Sequence, residues 1–274
     1  MKILVTGSTG RIGRPLRRRL AAGSHETTFL ARNGSPEGTV AVDITDRPAL
    51  LETVATALPE VIVHLASLTG RQCDDDPELA ERINVGGTRN VIEAARESGV
   101  GRIVFASTSA VYGDGYSQPA DEAHPVAPRT VYARTKHDAE VLLEDAQGTG
   151  ASLETLSLRI FNVFGPAFDD SLVNRLLESR PDHPVDLIGL DQFVRDYSSV
   201  DSVVDGVYAA LDAPLQGHPT VNLGSGIPTS NRQLVDTLAK RRRLYYSVID
   251  GPPSYSCAEI GLARTILGFV PQPV

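Results

Sequence analysis

The segment Ile3-Leu4-Val5-Thr6-Gly7-Ser8-Thr9-Gly10-Arg11-Ile12-Gly13 decides the fold of this chain of 274 residues. Its first residues are apolar, as in a buried strand, and three glycines follow. Ile12, Leu16 and Leu20 then recur every four residues and so share one face of a helix. The pattern predicts a strand, a tight turn and a helix N-terminus, where N–H groups and a partial positive charge can bind the phosphates of a dinucleotide.

The three glycines have separate roles in such a turn. Gly7 permits the tight turn, Gly10 lets backbone N–H groups approach a pyrophosphate, and Gly13 lets the helix pack on the strand. Because the segment follows a strand and opens an amphipathic helix, we interpret it as a dinucleotide-binding motif rather than an ordinary turn.

The rest of the chain shows the element order of an α/β fold. Strand and helix patterns alternate up to about residue 166, which predicts a Rossmann-type doubly wound parallel sheet. Beyond that point the helices are shorter and the links contain proline. We therefore predict a dinucleotide-binding domain over residues 1–166. Residues 167–274 are predicted to form a small C-terminal α/β substrate-binding domain, with some return of the chain to the main sheet.

Composition narrows the function classes. A formal charge of −8 argues against nucleic acid as a partner, and no apolar run approaches the ~18 residues of a membrane span. The chain begins directly with its first strand, so no signal peptide is expected. Cys73 and Cys257 form no CxxC pair, which favours two free thiols in a cytoplasmic protein. Asp74–Asp76 are consecutive acids without an organised ligand set, so no metal is expected.

Residues at three predicted strand ends bear on the cofactor. An acidic residue after the second strand would bind the ribose 2′-hydroxyl of NAD, whereas an arginine accommodates the 2′-phosphate of NADP. Arg32 at that place favours NADP(H), with NAD(H) as the alternative. Asp43 and Ile44 end the third strand where they are placed to meet adenine. Ala66 and Ser67 follow the fourth strand, at the edge where open α/β sheets bind ligands.

Three side chains form a candidate catalytic group. Tyr132 and Lys136 share one helical face at spacing i, i+4, and an ammonium near a phenol lowers the phenol's pKa from about 10. Thr108 leaves the sheet just after the fifth strand and can donate a hydrogen bond to a substrate oxygen. Together they suit proton transfer at an alcohol or carbonyl as hydride moves at carbon. His64, inside the fourth strand, is predicted to be a hydrogen-bonded core residue instead.

With these motifs in place, the chain resembles the extended class of the short-chain dehydrogenase/reductase superfamily, the NAD-dependent epimerase/dehydratase family that acts on nucleotide sugars. The matching motifs run nearly end to end: Thr6–Gly13, Asp43–Ile44, His64–Ala66, Asn84–Thr88, Ser107–Gly113, Tyr132 with Lys136, Arg159–Pro166, Arg195–Tyr197 and Leu262–Pro271. The resemblance implies an NAD(P)-dependent oxidoreductase acting on a nucleotide-linked sugar, with Thr108, Tyr132 and Lys136 as the catalytic residues.

The resemblance also implies the wider site. The predicted cofactor-binding residues are Gly7, Thr9, Gly10, Arg11, Ile12, Gly13, Arg32, Asp43, Ile44, Leu65, Ala66, Ser67, Asn84, Ser107, Tyr132, Lys136 and Phe161. The predicted substrate contacts are Thr108, Ser109, Asn162 and Arg195, of which the last two would contact the diphosphate. A homodimer through the helices near residues 80–98 and 131–147 is expected as well.

Departures from the family pattern bear on the reaction. Relatives that dehydrate or decarboxylate the sugar carry a Glu two residues after the catalytic Ser/Thr, or an Asp-Glu pair directly after it. Here Ser109 and Ala110 follow Thr108. Relatives that epimerise twice and then reduce carry a Cys at the position of Ala110 and a His at that of Ala167. These chemistries are therefore disfavoured.

Two reactions need only the three catalytic residues. Arg32 favours reduction of a 4-keto nucleotide sugar at C4 by NADPH. The alternative is a nucleotide-sugar 4-epimerase with tightly bound NAD. A reductase of a non-nucleotide carbonyl compound and a non-catalytic dinucleotide-binding regulator also remain open.

Overall fold

The computed structural model describes residues 1–34, 38–147, 153–272 and 274, without the side chain of Gln147. The strands are β1 (Lys2–Thr6), β2 (Glu26–Ala31), β3 (Thr39–Ala41), β4 (Val61–His64), β5 (Arg102–Thr108), β6 (Glu154–Ile160), β7 (Asn162–Phe164), β8 (Val185–Ile188), β9 (Phe193–Arg195), β10 (Tyr197–Ser199), β11 (Thr220–Leu223), β12 (Thr229–Ser230), β13 (Tyr246–Ile249) and β14 (Ser254–Ser256). The α-helices are α1 (Gly13–Ala21), α2 (Arg47–Ala57), α3 (Arg71–Asp75), α4 (Pro77–Ala80), α5 (Gly87–Glu97), α6 (Val131–Gln147), α7 (Leu172–Glu178), α8 (Val200–Ala209), α9 (Asn231–Ala239) and α10 (Gly261–Leu267).

The central sheet has seven strands in the order β11-β6-β5-β4-β1-β2-β3, and every neighbouring pair is parallel. Both faces are covered, as a parallel sheet requires. Ile3 and Val5 of β1 pack into the apolar cluster that contains residues of α1, α8 and α10. Leu4, between them, points to the other face and packs with residues of α2, α5 and α6. The predicted doubly wound α/β fold is confirmed.

Local signals set several element boundaries. Asp46 caps α2, as its Oδ1 accepts a hydrogen bond from the Ala49 N–H at 3.2 Å and a proline follows in the first turn. Strand β4 ends at His64, three residues earlier than its apolar run suggests, because the backbone then turns to meet Gly7. His64 is buried and hydrogen-bonds Thr6 and Thr88, and its burial lowers its pKa to about 3. It is the neutral core residue that its position predicts.

The long helix expected over residues 77–98 is interrupted. Residues Glu81–Gly86 form a π-helical segment between α4 and α5. π-helical segments inside helices are often found at functional sites. Asn84 lies in this segment, and its side chain hydrogen-bonds the backbone of Leu68 and the hydroxyl of Thr135. The extra residue per turn therefore lies where the helix is tied to the segment after β4.

The chain after residue 167 belongs to two parts of the structure. β11 pairs with β6 at the edge of the main sheet, and α8 and α10 pack on that sheet. Three small sheets, β10-β7, β12-β9-β14 and β13-β8, lie beside a separate apolar cluster that includes Val173, Leu187 and Leu234. The domain boundary at residue 167 stays a prediction.

Two observations concern the chain as a whole. Cys73 and Cys257 are both buried free thiols, as their spacing predicts. In the part of the chain that the structure describes, no helix combines the length and the apolar character needed to span a membrane.

Candidate active site

A cavity of about 380 Å³ lies at the carboxyl ends of β1, β4, β5 and β6. The strand order reverses between β1 and β4, and open α/β sheets bind ligands at such a reversal. We call this space the main cavity. It is lined by Gly7, Gly10, Arg11, Ile12, Gly13, Leu65, Ser67, Thr69, Ala106, Ser107, Thr108, Tyr132, Lys136, Ile160, Phe161, Val163 and Phe168.

The glycine-rich turn forms one wall of the main cavity. Gly7 has a φ of +66°, and a Cβ there would lie 2.6 Å from the backbone nitrogen of Ala66. A Cβ on Gly13 would lie 2.3 Å from the carbonyl oxygen of Gly7. Because these neighbours are backbone atoms, neither position has room for a side chain. The turn therefore needs glycine at both places to bring β1, β4 and α1 together.

This wall fits the pyrophosphate of a dinucleotide. The N–H groups of Arg11, Ile12 and Gly13 make no hydrogen bond to another described residue, and they lie at the N-terminus of α1. A Cβ on Gly10 would meet only the Gly7 carbonyl oxygen, at 3.1 Å. Free N–H groups at a helix N-terminus, with open space above a glycine, suit a phosphate anion.

Most of the predicted cofactor residues come together here, and six do not line the main cavity: Thr9, Arg32, Asp43, Ile44, Ala66 and Asn84. Arg32 is exposed just past β2, and Asp43 Oδ1 accepts two hydrogen bonds from Thr45. Ile44 is buried against Gly87, where a Cβ would lie only 2.4 Å from Ile44 Cδ1. The cofactor roles of these six residues stay predictions.

Two of the six support the wall of the main cavity from behind. The Ala66 N–H donates to Thr6 Oγ1 at 3.2 Å, close to where Gly7 passes. Asn84 accepts from the Leu68 N–H at 2.7 Å and donates to Thr135 Oγ1 at 2.9 Å. Asn84 thus joins the segment after β4 to helix α6.

Thr108, Tyr132 and Lys136 all reach the main cavity, as the sequence predicts. Burial raises the pKa of Tyr132 to about 12, although a hydrogen bond with Thr108 lowers it in part. Burial also lowers the pKa of Lys136 to about 7. The lysine side chain is 2% exposed, and its Nζ lies 4.1 Å from the centre of the Phe105 ring. The expected acidification of the phenol by Lys136 does not offset burial within this chain.

A buried ion pair that the sequence analysis did not identify lies behind this group. Glu140 accepts two hydrogen bonds from Arg159, from Nε at 3.1 Å and from Nη2 at 2.8 Å. It also accepts one from the Ser107 hydroxyl. Burial acts to raise the pKa of Glu140, but His137 and Arg159 bring it down to about 2. The spacing of four residues after Lys136 was the available signal for Glu140.

A second cavity of about 300 Å³ adjoins the first, and Arg11, Val163 and Phe168 line both. We call it the side cavity. Asn162 and Arg195, the two residues expected to contact a diphosphate, both line it. Ser109, the remaining predicted substrate contact, lines neither cavity and begins a short 3₁₀ turn after β5.

Arg195 is held in place at the side cavity. Its Nη2 donates to Ser254 Oγ at 2.8 Å, and its guanidinium lies 3.8 Å from the centre of the Phe193 ring. Asn162 Nδ2 donates to the carbonyl oxygen of Asp196 at 3.0 Å. The two predicted contacts are therefore connected through adjacent backbone positions.

The carboxylate of Asp196 anchors this region. It is buried and accepts hydrogen bonds from the hydroxyl of Ser225 at 2.7 Å, the Gly226 N–H at 2.9 Å and the Ala258 N–H at 3.2 Å. A Cβ on Gly224 would lie 2.5 Å from Asp196 Oδ2, so the close approach needs glycine. One buried carboxylate thus joins the segment of Arg195 to the turns after β11 and β14.

Arg11 connects the glycine-rich turn to the segment after β7. Its Nη1 donates to Asp170 Oδ1 at 2.7 Å, and its guanidinium lies 5.3 Å from the centre of the Phe168 ring. Ala167, just before Phe168, has a φ of +69°, which is rare for a residue other than glycine. The contact lies at the boundary between the two cavities.

The doubly wound sheet, the glycine-rich turn and the Thr108, Tyr132 and Lys136 group define a dinucleotide-binding enzyme of the extended short-chain dehydrogenase/reductase type. Residues 3–224 match the family described as the NAD dependent epimerase/dehydratase family. The chain belongs to this family.

Individual relatives are similar over most of their length. The UDP-glucose 4-epimerase of Mycolicibacterium smegmatis (strain ATCC 700084 / mc(2)155) is 33% identical over 99% of this chain and 94% of its own. The 3-diazoavenalumate denitrifying reductase of a Streptomyces species is 32% identical over 79% of this chain and 74% of its own. The solved structure of MoeE5 in complex with UDP-glucose and NAD has a TM-score of 0.87 and 28% identity, covering 100% of this chain and 94% of that chain.

These comparisons correct the emphasis of the sequence analysis. The solved relatives contain NAD, so the preference for NADP(H) drawn from Arg32 is not supported. The preference for ketoreduction rested on the same residue. The comparisons favour 4-epimerisation over it.

Proposed function

We propose that this protein is a 4-epimerase of UDP-linked sugars that uses NAD. The observation that carries the proposal is the similarity, over nearly the whole chain, to a UDP-glucose 4-epimerase. The adjoining cavities support it, because one has the glycine-rich turn for a dinucleotide and the other has Asn162 and Arg195 for a diphosphate.

The chain's own residues supply binding and proton transfer. The N-terminus of α1 would hold the pyrophosphate of NAD, and Lys136 would hold its ribose. Bound NAD supplies a hydride acceptor for C4 of the sugar and returns the hydride to the opposite face. Tyr132 would accept the proton of the C4 hydroxyl and later return it, while Thr108 donates a hydrogen bond to the same oxygen.

The residues around this group support epimerisation over neighbouring reactions. Dehydration would need an acid close to Thr108, but Ser109 lies outside both cavities and the exposed Ala110 carries no proton. Epimerisation followed by net reduction would need a second acid at the place of Ala167, whose methyl group cannot supply one. Thr108, Tyr132 and Lys136 suffice for reversible oxidation at C4.

NAD is the cofactor that we propose. Arg32 is exposed at the end of β2, where it is free to stack on adenine without a 2′-phosphate. Thermal-shift titrations with NAD and NADP test this choice, since the tighter ligand raises the melting temperature more at equal concentration. A larger shift with NADP would contradict it.

The reaction is tested by incubating the protein with UDP-glucose or UDP-glucuronate and following the sugar by proton NMR. We expect interconversion at C4 while the nicotinamide absorbance at about 340 nm stays constant. Tyr132→Phe should keep its NAD-induced thermal shift and lose turnover. Stoichiometric consumption of NAD(P)H with a 4-keto sugar, without interconversion, would instead establish the ketoreductase.

A second candidate is reduction of a compound without a nucleotide. The similarity to a denitrifying reductase favours it, because that relative is 32% identical over 79% of this chain. UDP separates the two candidates, since an epimerase of UDP-sugars should be stabilised by UDP and this reductase should not.

A further inference from the structure

The catalytic face of α6 continues one turn beyond Lys136. Tyr132, Lys136 and Glu140 are spaced four residues apart, so their side chains follow one another along the same side of the helix. Lys136 is 2% exposed and Glu140 is 4% exposed. A buried acidic residue next to a buried lysine carries a function that the proposed mechanism does not yet use.

Glu140 joins three elements at the floor of the main cavity. It belongs to α6, its carboxylate binds Arg159 of β6 through two hydrogen bonds, and it accepts a third from Ser107 of β5. Ser107 lines the main cavity and directly precedes Thr108. The carboxylate thus sets where the end of β5 lies relative to the helix that carries Tyr132.

The groups around Lys136 can be compared by charge. Glu140 contributes most to keeping the lysine protonated, with a smaller contribution from Cys73. Burial raises the pKa of the Cys73 thiol, so that group is neutral at pH 7. His64, which faces Lys136 from β4, is also neutral because burial lowers its pKa to about 3, and Tyr132 is a protonated phenol. Among these neighbours, only Glu140 is charged at neutral pH.

We propose that Glu140 is a positioning residue that keeps Lys136 in its ammonium form and holds the end of β5 against the catalytic face of α6. Two buried bonds to Arg159 keep the carboxylate ionised, so its charge is available in the low-dielectric interior. The ammonium can then act on the phenol of Tyr132. The inference rests on the proposed function for the catalytic role of Lys136.

The lysine can be observed directly. The chain has three lysines, Lys2, Lys136 and Lys240, so a protein labelled with [6-¹³C]lysine gives three Cε signals. The signal of Lys136 is assigned from its loss in Lys136→Met, and its chemical shift is followed against pH in protein freed of nucleotide. We expect a midpoint near pH 7 in the wild type.

Glu140→Gln keeps the shape of the side chain and removes its charge. We expect the midpoint of Lys136 to fall by about one unit or more, because the only neighbouring negative charge is lost. The kcat of the epimerase should decline at a lower pH than in the wild type. An unchanged midpoint in a folded Glu140→Gln protein would overturn the inference.

Glu154→Gln is the matched control. Glu154 pairs with Arg102, and this pair joins the same strands, β5 and β6, at their other end. The control should leave the midpoint of Lys136 in place even if it lowers the melting temperature. An equal fall in both variants would show a general loosening of the sheet and would also overturn the inference.

Glu140→Gln leaves Arg159 as an unpaired buried charge and can unfold the protein for that reason. The double variant Glu140→Gln/Arg159→Met removes both charges and carries the same expectation for Lys136. The titration uses no sugar. A shifted midpoint without epimerase activity would therefore contradict the proposed function alone, and epimerase activity with an unshifted midpoint would contradict this inference alone.

Discussion

Replacing Lys136 by methionine should stabilise the fold while abolishing turnover. In the folded protein burial lowers the pKa of this lysine to about 7, against a model value of 10.5. In the unfolded chain the lysine binds its proton more tightly, so its burial costs free energy of folding. At pH 7 the difference corresponds to about 4 kcal/mol. Methionine fills a similar volume without that cost.

The pH dependence gives this prediction its sign. Between pH 7 and pH 10.5 the unfolded chain binds more protons at this site than the folded protein, so wild-type stability rises with pH across that range. The advantage of Lys136→Met should therefore shrink, to about 2 kcal/mol at pH 9.

Urea denaturation at pH 6, 7, 8 and 9 measures the difference, using nucleotide-free protein. Lys240→Met is the control, because Lys240 is exposed at the end of α9 and no such gain is expected. The reasoning is refuted if Lys136→Met is less stable than the wild type at pH 7, or if its advantage does not decrease towards pH 9.

Three further predictions test other parts of the structure. Gly13→Ala should lower stability by about 1–3 kcal/mol and abolish the NAD-induced thermal shift, since its Cβ would lie 2.3 Å from a backbone oxygen. Gly86→Ala, whose Cβ would meet nothing closer than 3.9 Å, should be neutral or slightly stabilising. Arg195→Ala should lose thermal protection by UDP and keep protection by NAD, and loss of both would contradict the separate roles of the two cavities. Val141, on α6, is 41% exposed, so Val141→Glu should convert the proposed homodimer to a monomer in light scattering.

The sequence predicts those parts of the molecule that depend on neighbours in the chain. The turn at Gly7 and the cap at Asp46 both depend on residues within a few positions, and both occur as expected. Tyr132 and Lys136 share a helix face for the same reason. Local spacing alone therefore accounts for the sheet, the turn and most of the main cavity.

Contacts between distant segments lie outside that reach. Asn84 is held by Leu68 and Thr135, and its position in a π-helical segment leaves no mark in the hydrophobic pattern. The partner of Glu140, Arg159, is on a strand that the helix reaches only after folding. Arg32 shows the reverse problem, because a residue suited to a 2′-phosphate at a strand end does not by itself decide which cofactor is bound.

The helix α6 makes the relation between burial and chemistry explicit. Burial raises the pKa of Tyr132 to about 12 and lowers that of Lys136 to about 7, so by itself it moves both groups away from an ammonium beside a phenolate. The only charge placed against this tendency is Glu140, which Arg159 keeps ionised. A site of this kind cannot be maximally stable and also active, because the proton that catalysis needs on the lysine is the one that folding disfavours. We therefore expect variants that neutralise Lys136 to gain stability and lose function together.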